Sequence, residues 1–219
     1  MPPSTDDHDL PDAARTGTPP RVKICGVTRV ADALAIEAAG ADAVGLIFAP
    51  GSRRRVSVAQ AREISDALGP WIGRVGVFLD ADEATVVDAI EGARLDAVQL
   101  HGDAPDALAR RLQGRVRVIR AVRFEPGSTP QAYVGRSFDG VLLDGVRPGS
   151  GTPFDWSAAR AWRGHRRLVL AGGLRPENVA AAVRALRPYA VDVASGVETA
   201  PGVKDPEAVA AFVRTARAA

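Results

Sequence analysis

The chain of 219 residues is 46% hydrophobic and 25% charged. This is the composition of an ordinary globular protein and argues against a disordered or membrane-embedded one. No apolar run approaches the ~20 residues that a membrane helix requires. The net charge is only +2, aromatic residues make up 5%, and the arginines are scattered among acids, so we expect no nucleic-acid partner. A single cysteine permits no internal disulfide and favours a cytoplasmic location.

Two regions differ in composition. Residues 1–20 are polar, acidic and rich in proline, without the apolar segment of a signal peptide or the basic pattern of a transit peptide. We expect this stretch to be a disordered extension. Residues 21–219 are expected to form a single catalytic domain.

From residue 21, short β-rich runs alternate with alanine-rich helical runs. Strands are predicted at 21–25, 42–47, 73–78, 96–101, 116–122, 139–144, 167–171 and 189–194. Helices are predicted between and after them at 29–40, 58–69, 81–93, 103–114, 128–136, 156–164, 175–188 and 205–218, the fifth being the weakest. Glycines that follow three helices and prolines in three first turns mark the boundaries: Gly40, Gly69, Gly114, Pro105, Pro176 and Pro206.

Eight successive β-α units indicate a parallel sheet, either open or closed. An open dinucleotide-binding sheet calls for G-x-G-x-x-G after its first strand, and the sequence there is "CGVTR". About 200 residues is the lower size limit for a closed barrel. We therefore predict an α/β fold, a (β/α)8 TIM barrel. Repeated acidic residues near strand starts, as in "ADAVG", "LDAVQL", "FDGVLL" and "AVDVAS", suit the polar lower rim of such a barrel.

Polar residues recur at the carboxyl ends of the predicted strands, where barrel active sites lie. Residues two apart on a strand share a face, and Val98 and Leu100 are expected to face the helices instead. Burying such side chains is costly unless they have a partner or a task. The residues that converge on this rim are Lys23, Cys25, Gln99, His101, Asp144 and Asp192.

Glycine-rich loops follow the last three strands. Gly172-Gly173 and Ser195-Gly196 lie after strands 7 and 8, where barrels often bind phosphate through backbone N–H groups. A tight turn is the alternative interpretation of either pair alone. The loop at 147–156 contains Gly151 and is interpreted as a mobile cover that contributes to phosphate binding, or else as an ordinary connector.

The motifs "KICGVTR", "GADAVGLIF", "VGVF", "AVQLHG", "VLLD", "GSGTPFDW", "AGGLRPENV" and "AVDVASGVE" occur in order from residue 21 to about 214. This series resembles the phosphoribosylanthranilate isomerase family of tryptophan biosynthesis. The resemblance implies an Amadori rearrangement of N-(5′-phosphoribosyl)anthranilate without metal or organic cofactor. It also implies that the protein is a monomer or a homodimer. The expected binding partner is the small-molecule phosphosugar-anthranilate substrate.

The resemblance assigns roles to individual residues. Cys25 matches the family's general base and Asp144 its general acid. Arg54 matches the arginine that meets the anthranilate carboxylate, although arginine at position 55, often aromatic in relatives, departs from the pattern. Lys23, Gln99, His101 and Asp192 are expected to line the substrate site, with His101 as a hydrogen-bonding residue and not a base. A structural hydrogen bond is the alternative role of Asp192. Taken alone, Cys25 would be interpreted as a small buried hydrophobe and Asp144 as a loop-capping carboxylate.

Two other functions remain open. One is a dual-substrate barrel that serves histidine and tryptophan biosynthesis, in which an aspartate takes the place of Cys25. The other is a non-catalytic barrel that only binds phosphate. The cysteine argues against the first, and the pair of Cys25 and Asp144 argues against the second.

Overall fold

Eight parallel strands close into a barrel in chain order, with β8 pairing to β1. The computed structural model describes residues 18–102, 106–133, 137–145, 155–165 and 167–219. The strands are β1 Arg21–Cys25, β2 Ala43–Ile47, β3 Gly73–Leu79, β4 Ala97–His101, β5 Arg117–Arg123, β6 Gly140–Asp144, β7 Leu168–Leu170 and β8 Ala190–Val193. The predicted barrel is thus confirmed, and every strand end lies within one residue of its predicted position. The proposed extension at 1–20 falls outside the described residues except for 18–20.

Within the described residues, six α-helices pack around the barrel. They are α1 Val30–Ala38, α2 Val58–Ala67, α3 Glu83–Ala93, α4 Asp106–Leu112, α5 Val179–Leu186 and α6 Pro206–Arg217. Side chains that accept hydrogen bonds from first-turn N–H groups fix the starts of three helices, and these capping residues are Ser57, Asp82 and Asp205. Pro206 opens α6 as predicted. Gly40 and Gly114 follow their helices with positive φ values of 81° and 83°.

Helices predicted in two places are wrong. After β5 and β6 the chain forms short 3₁₀ turns, Pro130–Tyr133 and Trp156–Trp162, instead of α-helices. The second turn is interrupted by non-helical dihedral angles at Ala159. Trp162 is fully buried and its indole N–H donates to the Ser128 carbonyl at 3.0 Å. Tertiary docking of this large side chain therefore decides the local backbone.

The predicted start of α5 is also wrong. The helix begins at Val179 and leaves Pro176 in the preceding turn. Asn178 stabilises this turn, because its side chain accepts from the Arg175 N–H at 2.8 Å and donates to the Gly173 carbonyl at 3.0 Å. Pro105 lies outside the described residues.

The hydrophobic core has two layers. The larger lies between the outer faces of the strands and the helices and contains Val98 and Leu100, as predicted. The smaller fills the floor of the barrel with Ala121, Leu142, Val169, Ala171 and Ala190. The polar residues that alternate with the outer-layer residues therefore point into the barrel above this floor.

Three aspartates clamp the amino-terminal rim. Asp42, Asp96 and Asp139 each precede a strand, in agreement with the repeated start signature. Each carboxylate accepts a 2.8 Å hydrogen bond from a backbone N–H near the start of the neighbouring strand. The donors are Val22 in β1 for Asp42, Arg74 in β3 for Asp96, and Val118 in β5 for Asp139. Asp192 does not follow this pattern, because it lies inside β8 and its carboxylate meets Lys23.

A small hairpin, β9 Glu198–Ala200 with β10 Val203–Lys204, connects β8 to α6. Thr28, after β1, donates its hydroxyl to the Gly202 carbonyl at 2.6 Å. The Gln60 amide in turn donates to the Thr28 carbonyl at 2.7 Å. These bonds connect the loops that follow β1 and β8 with α2 at the carboxyl end of the barrel.

Candidate active site

A cavity of about 780 Å³ opens at the carboxyl ends of the strands. Most of the predicted site residues line it together: Cys25, Arg54, Gln99, His101, Asp144, Gly172, Gly173, Asp192, Ser195 and Gly196. Lys23 is buried and is not part of the cavity wall. Gly151 and most of the predicted covering loop lie outside the described residues.

Lys23 connects two residues of the cavity wall from inside the barrel. Its ammonium lies 2.9 Å from Asp192 Oδ1 and 3.1 Å from Gln99 Oε1. Lys23 and Asp192 are both less than a tenth exposed. Burial alone would lower the pKa of Lys23, but Asp192 and Cys25 outweigh it and the pKa is raised. Lys23 therefore stays charged and holds Asp192 and Gln99 in place.

The Cys25 thiol lies at the end of β1 and is 6% exposed. Burial raises its pKa above the ordinary value of a thiol, and the neighbouring Lys23 ammonium offsets only part of this effect. The thiolate is therefore a minority species near neutral pH.

Gly45 in β2 makes room for this thiol, and it was missed by sequence reasoning. A β-carbon at position 45 would lie 2.7 Å from Cys25 Sγ and 3.1 Å from Lys23 Nζ. Both distances are shorter than ordinary contacts, so only glycine fits here. The available signal was an isolated glycine within a strand pattern, which often marks a close approach.

Replacement of Gly45 by alanine is expected to lower kcat by about tenfold or more, because the added methyl group displaces the thiol. Steady-state kinetics will measure this, and G73A in the same sheet is the control, since its added β-carbon meets neighbours only at 3.6 Å. Equal kcat values for G45A and G73A would contradict the crowding argument.

Asp144 ends β6 and is 9% exposed. Burial raises its pKa to about 6, although the Gly145 N–H donates to its Oδ1 at 2.8 Å and opposes the shift. The carboxyl is therefore partly protonated near neutral pH, in the direction that an acid requires. Gly172, at φ 86°, packs closely here, since a β-carbon would lie 2.5 Å from the Gly145 nitrogen.

His101 ends β4 and forms a short polar contact with Gln99 on the same strand face. Its Nε2 lies 2.7 Å from Gln99 Nε2. Burial lowers the pKa of His101 to about 4, and the positive charges of Lys23 and Arg120 contribute. The imidazole is therefore neutral throughout the physiological range.

Arg54 is the inward member of the run Arg53-Arg54-Arg55, and the other two arginines are exposed. Its guanidinium forms a bidentate pair with Glu198, with Nε at 2.9 Å and Nη2 at 2.7 Å from the carboxylate oxygens. Glu198 also accepts from the buried Lys204 ammonium at 2.7 Å. Lys204 donates in addition to the Cys25 carbonyl at 2.5 Å. Sequence reasoning missed Glu198 and Lys204, because their partners lie far away along the chain.

The E198Q variant is expected to lose about 3 kcal/mol of unfolding free energy, because it leaves two cations facing each other without a carboxylate. Urea denaturation followed by circular dichroism will measure this. D66N opens only the exposed pairs of Asp66 with Arg62 and Arg94 and is expected to leave the midpoint nearly unchanged. A midpoint for E198Q that matches D66N would disprove the structural role of the cluster.

The loops after β7 and β8 form one side of the cavity. Gly172 and Gly173 have positive φ values of 86° and 66°. Ser195–Val197 forms a 3₁₀ turn, and a β-carbon at Gly196 would lie 2.0 Å from the Leu174 carbonyl oxygen. The two glycine loops are therefore packed against each other and bring backbone close to the cavity.

Comparisons with known proteins agree with this geometry. The family model for N-(5′-phosphoribosyl)anthranilate (PRA) isomerase matches residues 22–215. The chain belongs to the PRA isomerase family. A curated relative of that name from Thermotoga maritima is 44% identical over 201 residues, which is 90% of this chain and 98% of the relative. The family consists of aldose-ketose isomerases, so the chain is an enzyme of that class.

Solved structures of PRA isomerases have the same barrel. The Thermus thermophilus enzyme has a TM-score of 0.83 and 47% identity, covering 89% of this chain and 97% of that one. Another PRA isomerase, solved with reduced 1-(o-carboxyphenylamino)-1-deoxyribulose 5-phosphate, has a TM-score of 0.81 and 43% identity, covering 91% and 100%. All of the predicted site residues fall within the segment that matches the family model.

Among the described residues, no cluster of three or more His, Cys, Asp or Glu side chains is arranged to hold a metal ion. Within the same part of the chain, every helix is too short or too polar to cross a membrane.

Proposed function

We propose that this chain converts N-(5′-phosphoribosyl)anthranilate into 1-(2-carboxyphenylamino)-1-deoxyribulose 5-phosphate in tryptophan biosynthesis. The observation that carries the proposal is the position of Cys25 and Asp144 in the wall of one cavity. The cavity also contains the two glycine loops, which suit a phosphate group. The family, one member of which was solved with a reduced form of this product, supports the choice of substrate.

The reaction needs one acid and one base. Asp144, in its protonated form, gives a proton to the furanose ring oxygen, and the ring opens to an iminium ion. The Cys25 thiolate then removes the proton from C2′, which gives an enolamine that tautomerises to the ketone. The raised pKa of Asp144, about 6, keeps a fraction of the acid form available near neutrality.

The remaining wall residues hold the substrate. Backbone N–H groups of Gly172, Gly173, Ser195 and Gly196 bind the phosphate in this proposal, and Gly151 joins them from the covering loop. Arg54, Gln99, His101 and Asp192 surround the anthranilate and the open sugar. Arg54 reaches the carboxylate of the substrate from its pair with Glu198, which fixes the plane of the guanidinium. Lys23 acts from beneath by orienting Asp192 and Gln99.

The test is an assay of the purified full chain with PRA, followed by the change in anthranilate fluorescence. We expect turnover without added metal or organic cofactor, and complementation of a tryptophan auxotroph that lacks this step. The C25A/D144N double variant is the negative control. Binding of PRA without turnover would favour a phosphate-binding barrel, and turnover of the histidine-pathway aminoaldose would favour a dual-substrate enzyme.

The cellular location and the oligomeric state of the enzyme stay predictions. We propose a cytoplasmic monomer or homodimer that binds neither nucleic acid nor a membrane. Size-exclusion chromatography with light scattering will decide between the two oligomeric states.

A further inference from the structure

Buried polar side chains on β1, β4 and β8 form a directed chain of hydrogen bonds. It begins at Asp192 Oδ1, passes through Lys23 Nζ at 2.9 Å and Gln99 Oε1 at 3.1 Å, and ends with Gln99 Nε2 at 2.7 Å from His101 Nε2. Lys23 is 5% exposed and Gln99 is 2% exposed. These polar atoms are thus withdrawn from bulk solvent, and each must find its complement within the protein.

Lys23 fixes the direction of the chain of hydrogen bonds. A lysine ammonium has three donors and no acceptor, so the Gln99 atom that faces it must be the carbonyl oxygen. The opposite end of the same amide is the NH2 group, which can only donate. A hydrogen on His101 Nε2 would face this NH2 group at 2.7 Å and leave two donors in contact.

We infer that Lys23 and Gln99 hold His101 as the neutral tautomer with its proton on Nδ1, so that the ring serves the substrate as a hydrogen-bond donor and not as a base. The Nε2 lone pair is occupied by the Gln99 amide and is not available to accept a proton from the sugar. The ring lines the cavity, and its only N–H is the one on Nδ1. Lys23 and Gln99 are positioning residues, since they act through His101.

The low basicity of the ring agrees with this arrangement. An imidazolium would need a hydrogen on both nitrogens, which the Gln99 amide opposes. The pKa of His101 is lowered to about 4 by burial and by the charges of Lys23 and Arg120. A donor that remains neutral keeps its hydrogen bond constant over the working pH range.

The donor role rests on the proposed function, but the tautomer does not, and the first experiment uses the resting protein. Nitrogen-15 NMR distinguishes a protonated from a bare imidazole nitrogen. We expect His101 to show a bare Nε2 and a protonated Nδ1 in the wild-type chain, with its signals identified by their loss in H101N. A protonated Nε2 would overturn the inference, whether or not the protein turns over PRA.

The Q99E variant reverses the last link. A carboxylate at position 99 can only accept, so we expect Nε2 of His101 to become protonated. His165, which packs beside Trp162 away from the cavity, is the internal control, and its signals are expected to stay in place. An unchanged His101 tautomer in Q99E would show that Gln99 does not set it.

Two substitutions at His101 test the donor role. An asparagine amide can place an N–H near the position of Nδ1, whereas a glutamine amide reaches the position of Nε2. We expect kcat/KM of H101Q to be about tenfold lower than that of H101N, as for the loss of one hydrogen bond to substrate. Equal values, or a more active H101Q, would overturn the donor role even if the tautomer is correct.

Discussion

The Cys25→Ala variant is expected to lower kcat by about 10²–10⁴-fold, with KM within a few-fold of the wild-type value. The thiolate is proposed to act only on the proton at C2′, so its loss raises the barrier of the chemical step and leaves binding contacts in place. Because the thiol is 6% exposed, alanine also removes some packing volume. Steady-state kinetics on PRA, with unfolding curves for both proteins, will separate the two effects.

The Cys25→Ser variant is the matched control for packing. Serine keeps most of the volume and hydrogen-bonding capacity of the thiol, but its hydroxyl does not ionise in the accessible pH range. We expect it to be nearly as inactive as Cys25→Ala. Wild-type activity in either variant would mean that the base is another group in the cavity.

The Asp144→Asn variant is expected to lose a similar factor in kcat, and it also changes the pH profile. The reaction requires Asp144 protonated and Cys25 ionised, yet the pKa of Asp144 is about 6 and that of Cys25 is higher than usual. Between the two pKa values, a rise in pH increases the thiolate and decreases the protonated acid by the same factor. The wild-type kcat/KM is therefore expected to be flat from pH 6 up to the pKa of Cys25.

Below pH 6 the acid is already protonated, and only the thiolate fraction still changes. The wild-type kcat/KM is expected to fall by about tenfold for each pH unit in this range. In Asp144→Asn nothing titrates at this position. The residual kcat/KM is therefore expected to rise steadily through pH 6, without the change of slope that the wild type shows there. The substrate phosphate titrates in the same way in assays of both proteins. The ratio of the two kcat/KM values therefore reports the titration of the Asp144 carboxyl group alone.

The Asp139→Asn variant is the matched control, because it removes a carboxylate from the opposite rim of the same strand. We expect it to lower stability, because the carboxylate accepts from both the Arg117 guanidinium and the Val118 N–H and an asparagine offers one acceptor oxygen and no charge. The change of slope near pH 6 is expected to remain. If the change of slope near pH 6 persists in Asp144→Asn, another titrating group is responsible for it.

The parts of the fold that were predictable have a local cause. The strands follow from β-rich runs with turn residues at their ends, and the inward direction of Cys25 and Gln99 follows from alternation along a strand. The same rule placed Val98 and Leu100 in the outer layer. These features depend on neighbours in sequence, so the sequence alone carries them.

What was missed depends on neighbours in space. The 3₁₀ turn at Trp156–Trp162 arises from the docking of one indole ring. The partnership of Arg54 with Glu198 joins residues 144 positions apart. The net direction of the Cys25 pKa shift depends on the balance between burial and the charges of Lys23, Asp192 and Lys204. No pattern along the chain reports that balance.

The aspartate clamps of the amino-terminal rim have a consequence for the evolution of this enzyme. Asp42, Asp96 and Asp139 connect the strand pairs β1–β2, β3–β4 and β5–β6 by hydrogen bonds. Tyr189 lies at the corresponding position of the pair β7–β8. None of these four residues borders the cavity. Mutations that change the substrate cavity to fit a different aminoaldose therefore leave the hydrogen bonds at the amino-terminal end of the barrel intact. We expect that variants with new specificities can be selected without a matching loss of thermal stability.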